Sequence, residues 1–248
     1  MWTLETVALV TVTFLIGGLV KGALGLGLPP IALAFMAAPL GVKAAMGIML
    51  GPTVLTNIWQ ALAGPSLKVL LARLWSFLLA AFVGIWFGVD ILAVTSGNLV
   101  LGALGLFLAL YSLVSLMSPQ IPPPGKREKM LSPIAGGVGG IVFGFTGTFI
   151  VPGVLYLQAL GLNREMMVQA LGLTFVTISV ALAISFTRHQ LVPSEVFWLA
   201  LYAVCPTVVG LVLGTRFRHR ISEAQFRQYF FIALFVAGLY MLARAVFG

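Results

Sequence analysis

The sequence predicts an all-α polytopic membrane protein built from two homologous halves. Apolar segments of about 20 residues, the length of helix that crosses a bilayer, recur from one end of the chain to the other. Of the 248 residues, 60% are hydrophobic and 8% are charged, whereas a soluble domain carries about 25% charged residues. A Gly- and Pro-rich segment also occurs twice, in corresponding places of the two halves.

The repeated segment predicts a broken helical hairpin in each half. The copies are Gly22-Ala-Leu-Gly25-Leu-Gly27-Leu-Pro29-Pro30 and Gly144-Phe-Thr-Gly147-Thr-Phe-Ile-Val-Pro152. Gly25 and Gly147 are 122 positions apart, as are Pro30 and Pro152. Glycine permits backbone conformations that end a helix, and proline suits the first turn of the next one. Paired interruptions of this kind in a membrane protein point to a transport site.

The elements follow the same order in both halves, each a broken hairpin followed by three transmembrane helices. In the first half the hairpin arms are predicted at 4–20 and 29–40, and the long helices at 44–63, 74–92 and 98–117. In the second half the arms are predicted at 134–146 and 152–162, and the long helices at 166–186, 195–215 and 226–247. The repeats are therefore 1–117 and 134–248, and a Pro-rich, charged linker at 118–133 joins them on the cytoplasmic side.

The distribution of Lys and Arg favours inverted halves. If each hairpin returns to its starting side, each half crosses the membrane an odd number of times. One side then collects Lys68, Arg73, Lys126, Arg127, Lys129, Arg164, Arg216, Arg218, Arg220 and Arg227, and the other keeps Lys43, Arg188 and Arg244. If each hairpin region crossed once, the charges would show no bias. The positive-inside rule thus predicts both termini outside, although two full crossings per hairpin would give the same sidedness.

The remaining composition argues against an enzyme, a metal site and a nucleic-acid partner. The net charge of +8 is explained by positive-inside topology. Cys205 is the only cysteine, and His189 and His219 do not recur at metal-ligand spacing. There is no Walker A motif, and every carboxylate falls at a loop or a helix end. No cofactor is expected.

The helix starts at the two breaks are the predicted binding site for an anion. A helix N-terminus presents free N–H groups and roughly half a positive charge. In the inverted arrangement, two such starts are expected to meet near the midplane. The candidate residues there are Gly25, Gly27, Pro29, Pro30, Thr146, Gly147, Thr148 and Pro152. The threonines either donate to an anion or bond a nearby carbonyl group.

Glycines can instead serve close helix packing, which is the preferred interpretation for the pairs Gly84/Gly88 and Gly210/Gly214.

Four further polar residues lie in the apolar helices. Lys21 is the one charge inside the first hairpin, and its counterpart 122 positions later is Phe143. Its ammonium group either reaches an interface or attracts an anion. Asn57, Gln60 and Thr177 lie on polar helix faces, where either interhelical bonding or substrate contact would explain them.

At these residues the chain resembles the TauE/SafE family, also called the sulfite exporter or toluene-sulfonate uptake permease family. The resemblance rests on the segment ending at Pro152 and on Gly210-Leu-Val-Leu-Gly214 followed by the basic residues 216–220. It implies a transporter of small sulfur-containing or organic anions, such as sulfite, thiosulfate or sulfonates, in the bacterial inner membrane. The partners it implies are a small anion and the lipid bilayer, with a homodimer left open.

Two other functions remain open at this stage. The chain could be a non-transporting scaffold subunit of a larger complex, or it could carry a neutral or cationic solute. The Pro-led helix starts and the lack of carboxylates within the apolar segments argue against a cation.

Overall fold

The fold is all-helical over the residues that the computed structural model describes, namely 2–117, 122–217 and 223–247. Residues 118–121 of the predicted linker and residues 218–222, with three of the basic positions after α9, lie outside this description. The helices are α1 (Leu4–Leu24), α2 (Leu28–Leu40), α3 (Val42–Leu62), α4 (Leu67–Val94), α5 (Gly97–Met117), α6 (Glu128–Thr146), α7 (Leu155–Ala159), α8 (Arg164–Arg188), α9 (Ser194–Phe217) and α10 (Glu223–Phe247).

The predicted fold class is confirmed. Within the described residues, six helices are long and apolar enough to cross a membrane, namely α1, α4, α5, α8, α9 and α10. The predicted long helices agree with the observed ones to within a few residues, except at the start of α4. The chain is therefore a multi-pass membrane protein.

Both hairpin regions differ from the prediction in length. The arm α1 continues to Leu24, so its 21 residues are long enough to cross a bilayer on their own. Helix α2, with 13 residues, reaches only about 20 Å at 1.5 Å per residue. Helix α6 begins at Glu128 rather than at 134. Arg73 of α4 holds the carboxylate of this first residue through two hydrogen bonds.

The helices group into two compact units, and each unit draws on both halves of the sequence. Unit 1 comprises residues 1–52, 95–118 and 190–248, and unit 2 comprises 53–94 and 119–189. Unit 1 therefore holds the first hairpin together with α5, α9 and α10, and unit 2 holds the second hairpin together with α4 and α8. The boundary between the units falls within α3, at Pro52.

In unit 1 the first hairpin packs on α9 through glycines. A Cβ atom added to Gly18 would overlap the carbonyl oxygen of Thr207, and one added to Gly210 would overlap that of Leu15. Gly22 lies one turn further on, against the carbonyl of Leu211. Residue numbers rise together along both helices, so α1 and α9 run parallel with their backbones in contact.

In unit 2 the second hairpin packs on α4 in the corresponding register. Gly140 lies against the carbonyl oxygen of Ala81, and Gly84 lies against that of Gly137. These positions match the pairs in unit 1, because residues of α1 and α6 correspond at a spacing of 122 and residues of α4 and α9 at 126. The packing interpretation of Gly84, Gly88, Gly210 and Gly214 is therefore confirmed.

The last helices of the two halves, α5 and α10, run antiparallel in unit 1. Gly105 approaches Gly238, Tyr111 meets the ring of Phe231 edge-on at 5.1 Å, and Arg227 donates to the carbonyl of Ser115 at 3.2 Å. Positions that rise along α5 thus fall along α10.

Each hairpin also folds back on itself. Gly17 of α1 lies near Leu28 and Ile31 of α2, and Gly139 of α6 lies near Phe149 and Gly153 of the following arm. Both arms therefore return toward the side from which the preceding helix entered.

We expect Gly140→Ala to destabilise the protein and Gly137→Ala to be tolerated. The new methyl group at Gly140 would meet backbone of α4 that cannot move independently, whereas the one at Gly137 would lie 3.8 Å from its nearest neighbour. Overpacking of this kind costs about 1–3 kcal/mol. Thermal unfolding in detergent measures the difference in stability between the two variants. Equal midpoints would contradict the prediction, because they would show that α6 can move away from α4 without loss of stability.

Candidate functional site

The first break places Lys21 in the last turn of α1, four residues before Gly25 and six before Gly27, two glycines in left-handed conformations. Gly25 has φ 79° and Gly27 has φ 110°, values that favour glycine because it lacks a Cβ atom. The Gly25 N–H donates to the carbonyl of Lys21 at 2.7 Å, which ends the helix. Lys21 is buried, with 6% of its surface exposed.

The start of α2 offers fewer backbone donors than the sequence analysis expected. Pro29 and Pro30 are buried and carry no N–H group. The N–H of Ile31 donates to the carbonyl of Gly27 at 3.2 Å. Among the first four residues of α2, Leu28 is therefore the one whose N–H can reach a ligand, so a site here depends on Lys21 more than on the helix start.

The second break ends α6 in the same way, and it adds two threonines that bond to each other. Gly147 has φ 78°, and its N–H donates to the carbonyl of Phe143 at 2.7 Å. The Thr146 hydroxyl donates to the carbonyl of Val142 at 2.7 Å, so Thr148 must donate in the 2.8 Å contact between the two hydroxyls. Each hydroxyl has one hydrogen, and both are engaged. Thr148 can donate to an anion only by releasing Thr146.

The expectation of a regular helix at 152–162 is wrong. A π-helical segment, Ile150–Val154, contains the extended residue Val151, and α7 then adds five residues. The residue before a proline avoids the helical region because it clashes with the proline ring, which accounts for Val151 before Pro152. Such a short helix has little dipole, so the argument from a helix start does not extend to Pro152.

Aromatic rings occupy positions of the second break at which the first has a lysine and a glycine. Phe149 corresponds to Gly27, and Phe143 corresponds to Lys21, each pair 122 positions apart. The Phe149 ring is buried and lies 6.2 Å from that of Phe143, with Phe77 at 5.9 Å. A Cβ atom on Gly153 would overlap this ring. The two breaks therefore share their backbone design but differ in their side chains.

The remaining candidates on α3 and α8 bond to main-chain carbonyl groups in unit 2. The Asn57 amide donates to Thr53 at 2.7 Å, and the Thr177 hydroxyl donates to Leu173 at 2.9 Å. Gln60 donates across to the carbonyl of Val168 at 2.8 Å. The Gln60 contact is the interhelical bonding considered as the structural alternative, whereas these contacts of Asn57 and Thr177 lie within their own helices.

The twelve candidate residues divide between the units. Lys21, Gly25, Gly27, Pro29 and Pro30 belong to unit 1, and they are brought together by the first break. Asn57, Gln60, Thr146, Gly147, Thr148, Pro152 and Thr177 belong to unit 2. A substrate role for any of them stays a prediction.

A polar cluster at the base of the second hairpin was not identified from the sequence. Arg73 bonds both carboxylate oxygens of Glu128, at 2.6 and 2.8 Å, and also donates to the carbonyl of Leu160. The Tyr156 hydroxyl donates to the carbonyl of Glu128 at 3.2 Å. These bonds tie α4, α6 and α7 together. The Glu128 carboxylate in the first turn of α6 was the one sequence feature that could have indicated this cluster. Its partner Arg73 lies 55 residues away in sequence, so the pairing could not be predicted.

Comparison with known proteins identifies one family. The family model for the sulfite exporter TauE/SafE matches residues 9–241, which is nearly the whole chain. No match is found among curated proteins or among solved structures.

We expect Glu128→Gln to lower the thermal midpoint at pH 7. Hydrogen bonding from Arg73 lowers the pKa of Glu128 in the folded protein. The stabilisation is therefore present above the unfolded pKa of about 4.3 and is lost as the pH falls through the lowered folded-state pKa. Because both side chains are about one-third exposed, the loss at pH 7 should be only about 0.5–1 kcal/mol.

The control for this prediction is Glu165→Gln. Glu165 lies in the first turn of α8, so both variants remove a carboxylate near a helix start, and only one removes the bond to Arg73. Unfolding is followed from pH 7 to pH 3, where the difference between Glu128→Gln and the wild type should vanish. If both variants lost the same stability at pH 7, the interaction of a carboxylate with the helix dipole would explain the whole effect, and the bond to Arg73 would contribute nothing.

Proposed function

The chain belongs to the TauE/SafE sulfite exporter family of membrane transporters, and on this basis we propose that it moves small sulfur-containing or organic anions across the bacterial inner membrane. Sulfite, thiosulfate and sulfonates are the candidate substrates. The proposed binding site is the first break, near the midplane, where α1 ends and α2 begins. Lys21 supplies the charge, Leu28 supplies a backbone donor, and the positive-φ glycines Gly25 and Gly27 shape the backbone around the anion.

The buried position of Lys21 is the observation that carries this proposal. An ammonium group within a membrane helix costs about 2.5–3.5 kcal/mol on insertion scales. An anion bound beside Lys21 would offset part of this cost through charge-assisted hydrogen bonding. The backbone at the break is shaped by positive-φ glycines, so it can approach a ligand without an intervening Cβ atom.

We further propose that transport is downhill and electrogenic for a monoanion. The carboxylates of the chain lie at loops and helix ends, so the acidic proton relay common in coupled transporters has no candidate in the apolar segments. An inside-negative potential then drives the anion outward by about 2.3 kcal/mol per 100 mV.

The proposed topology has inverted halves with both termini outside. The one-sided distribution of basic residues supports it, as do the returning hairpins. The antiparallel packing of α5 against α10 supports it as well, because these helices occupy the same place in the two halves.

We expect the purified chain in liposomes to carry labelled sulfite, and Lys21→Met to weaken sulfite binding. Methionine keeps the length of the side chain and removes its charge. The loss of one charged hydrogen bond costs roughly 1–3 kcal/mol, which raises Kd roughly five- to hundredfold. Lys21→Arg should retain part of the affinity. Tracer flux under an imposed potential and equilibrium binding provide the two measurements.

Lys68→Met is the matched control, because it removes an equal charge from an exposed position. Absence of flux from the wild-type chain would favour the scaffold function. Flux of a cation or neutral solute instead of sulfite would show that the substrate is not an anion. Normal sulfite flux with unchanged affinity in Lys21→Met would support the proposed function but would show that the binding site does not include Lys21.

The topology predicts that Ser96→Cys is labelled from outside and Arg216→Cys from the cytoplasm. Both are exposed and precede corresponding helices, α5 and α10. Inverted halves place these corresponding positions on opposite sides. Each cysteine is introduced into a Cys205→Ala background and treated with an impermeant maleimide in oriented vesicles. Labelling of both positions from the same side would show parallel halves.

A further inference from the structure

Unit 1 contains an apolar groove of about 310 Å³ between the first hairpin and α10. Its floor includes Val20, Ile31 and Phe230, all buried. Phe35 and Tyr229 lie at its rim and are 46% and 71% exposed. The hydroxyl of Tyr229 is the one polar side-chain group among the lining residues.

The dimensions of the groove match a single extended hydrocarbon chain. Its lining residues on α10 run from Phe226 to Ala237, a length of roughly 16 Å at 1.5 Å per residue. A volume of about 310 Å³ over that length gives a mean cross-section of roughly 20 Å². A chain of methylene groups, whose carbons approach their neighbours to about 4 Å, has a cross-section of roughly 15–20 Å². An α-helix about 10 Å in diameter would need about 80 Å².

Hydrocarbon is also the chemistry that this groove accepts. Water needs two to four polar partners, and an apolar cavity of about 150 Å³ stays dry and admits benzene. Helices α1 and α10, which line the groove, are both candidate membrane spans, and its exposed rim residues are apolar apart from the Tyr229 hydroxyl. We propose that the groove binds one acyl chain of a bilayer phospholipid.

The bound acyl chain would support the wall of the first break. A Cβ atom built on Gly27 would lie 2.9 Å from Cγ1 of Val20 and 3.2 Å from Cζ of Phe230, and both of these residues belong to the groove floor. The acyl chain would therefore contact the two residues that also lie against Gly27. Lipid binding depends on the groove alone, whether or not the break binds an anion.

The test compares Ala233→Trp, which fills the groove, with Val236→Trp, which adds the same ring to an exposed position of α10 outside it. Each protein is reconstituted with palmitoyl-oleoyl phosphatidylglycerol, released into mild detergent and weighed by native mass spectrometry. The wild type and Val236→Trp should each retain one phospholipid more than Ala233→Trp. Ala237→Phe, a second filling variant, should lose the same molecule and covers the case in which Ala233→Trp does not fold.

Equal numbers of retained phospholipids in the wild type and in a folded filling variant would overturn the proposal. A wild-type dimer that becomes a monomer in the filling variants, with no change in the number of lipids, would assign the groove to a second copy of the chain.

Discussion

The close approach of paired helix backbones is the constraint on which this structure depends. In a bilayer, helices are not driven together by the exclusion of water, so van der Waals packing and hydrogen bonds must hold them. Both hairpins meet this condition by placing glycine against carbonyl oxygens of a helix from the other half, as Gly18 does at Thr207 and Gly140 at Ala81. Each of these pairings joins the two halves, so each hairpin takes its glycine-packing partner from the other half.

The position of each break follows from this packing. Gly22 is the last glycine of α1 in contact with α9, and Gly144 is its counterpart on α6. Each helix ends three residues later, at Gly25 and at Gly147. The packed helix therefore fixes the depth and direction of the break, and positive φ at the terminal glycine then turns the chain back. A substrate group at Lys21 would be held by a backbone that is already anchored within one turn.

Much of the fold can be predicted from the sequence because its determinants are local. The length of apolar segments predicts the long helices, and the spacing of Gly84 and Gly88 predicts a packing face. The ion pair of Arg73 and Glu128 at the start of α6 could not be predicted this way, because its two residues lie 55 positions apart in sequence. The irregular arm at Pro152 has a local signal, because Val151 precedes a proline and therefore avoids the helical region. The missing donors at Pro29 and Pro30 can be predicted from the sequence alone, since proline has no N–H group.

The two breaks separate what the fold requires from what a site requires. The terminal glycines, the packing glycines and the returning arms occur in both, since both hairpins face the same packing problem. The side chains do not follow this duplication. Lys21 corresponds to Phe143, and Gly27 corresponds to Phe149, so the first break carries a lysine and a glycine where the second carries packed rings. A buried ammonium group is costly in a membrane, and backbone geometry does not require it, since Phe143 occupies the same position in a hairpin of equivalent packing. The charge at Lys21 therefore does not follow from the shared backbone design, and it distinguishes the first hairpin from the second.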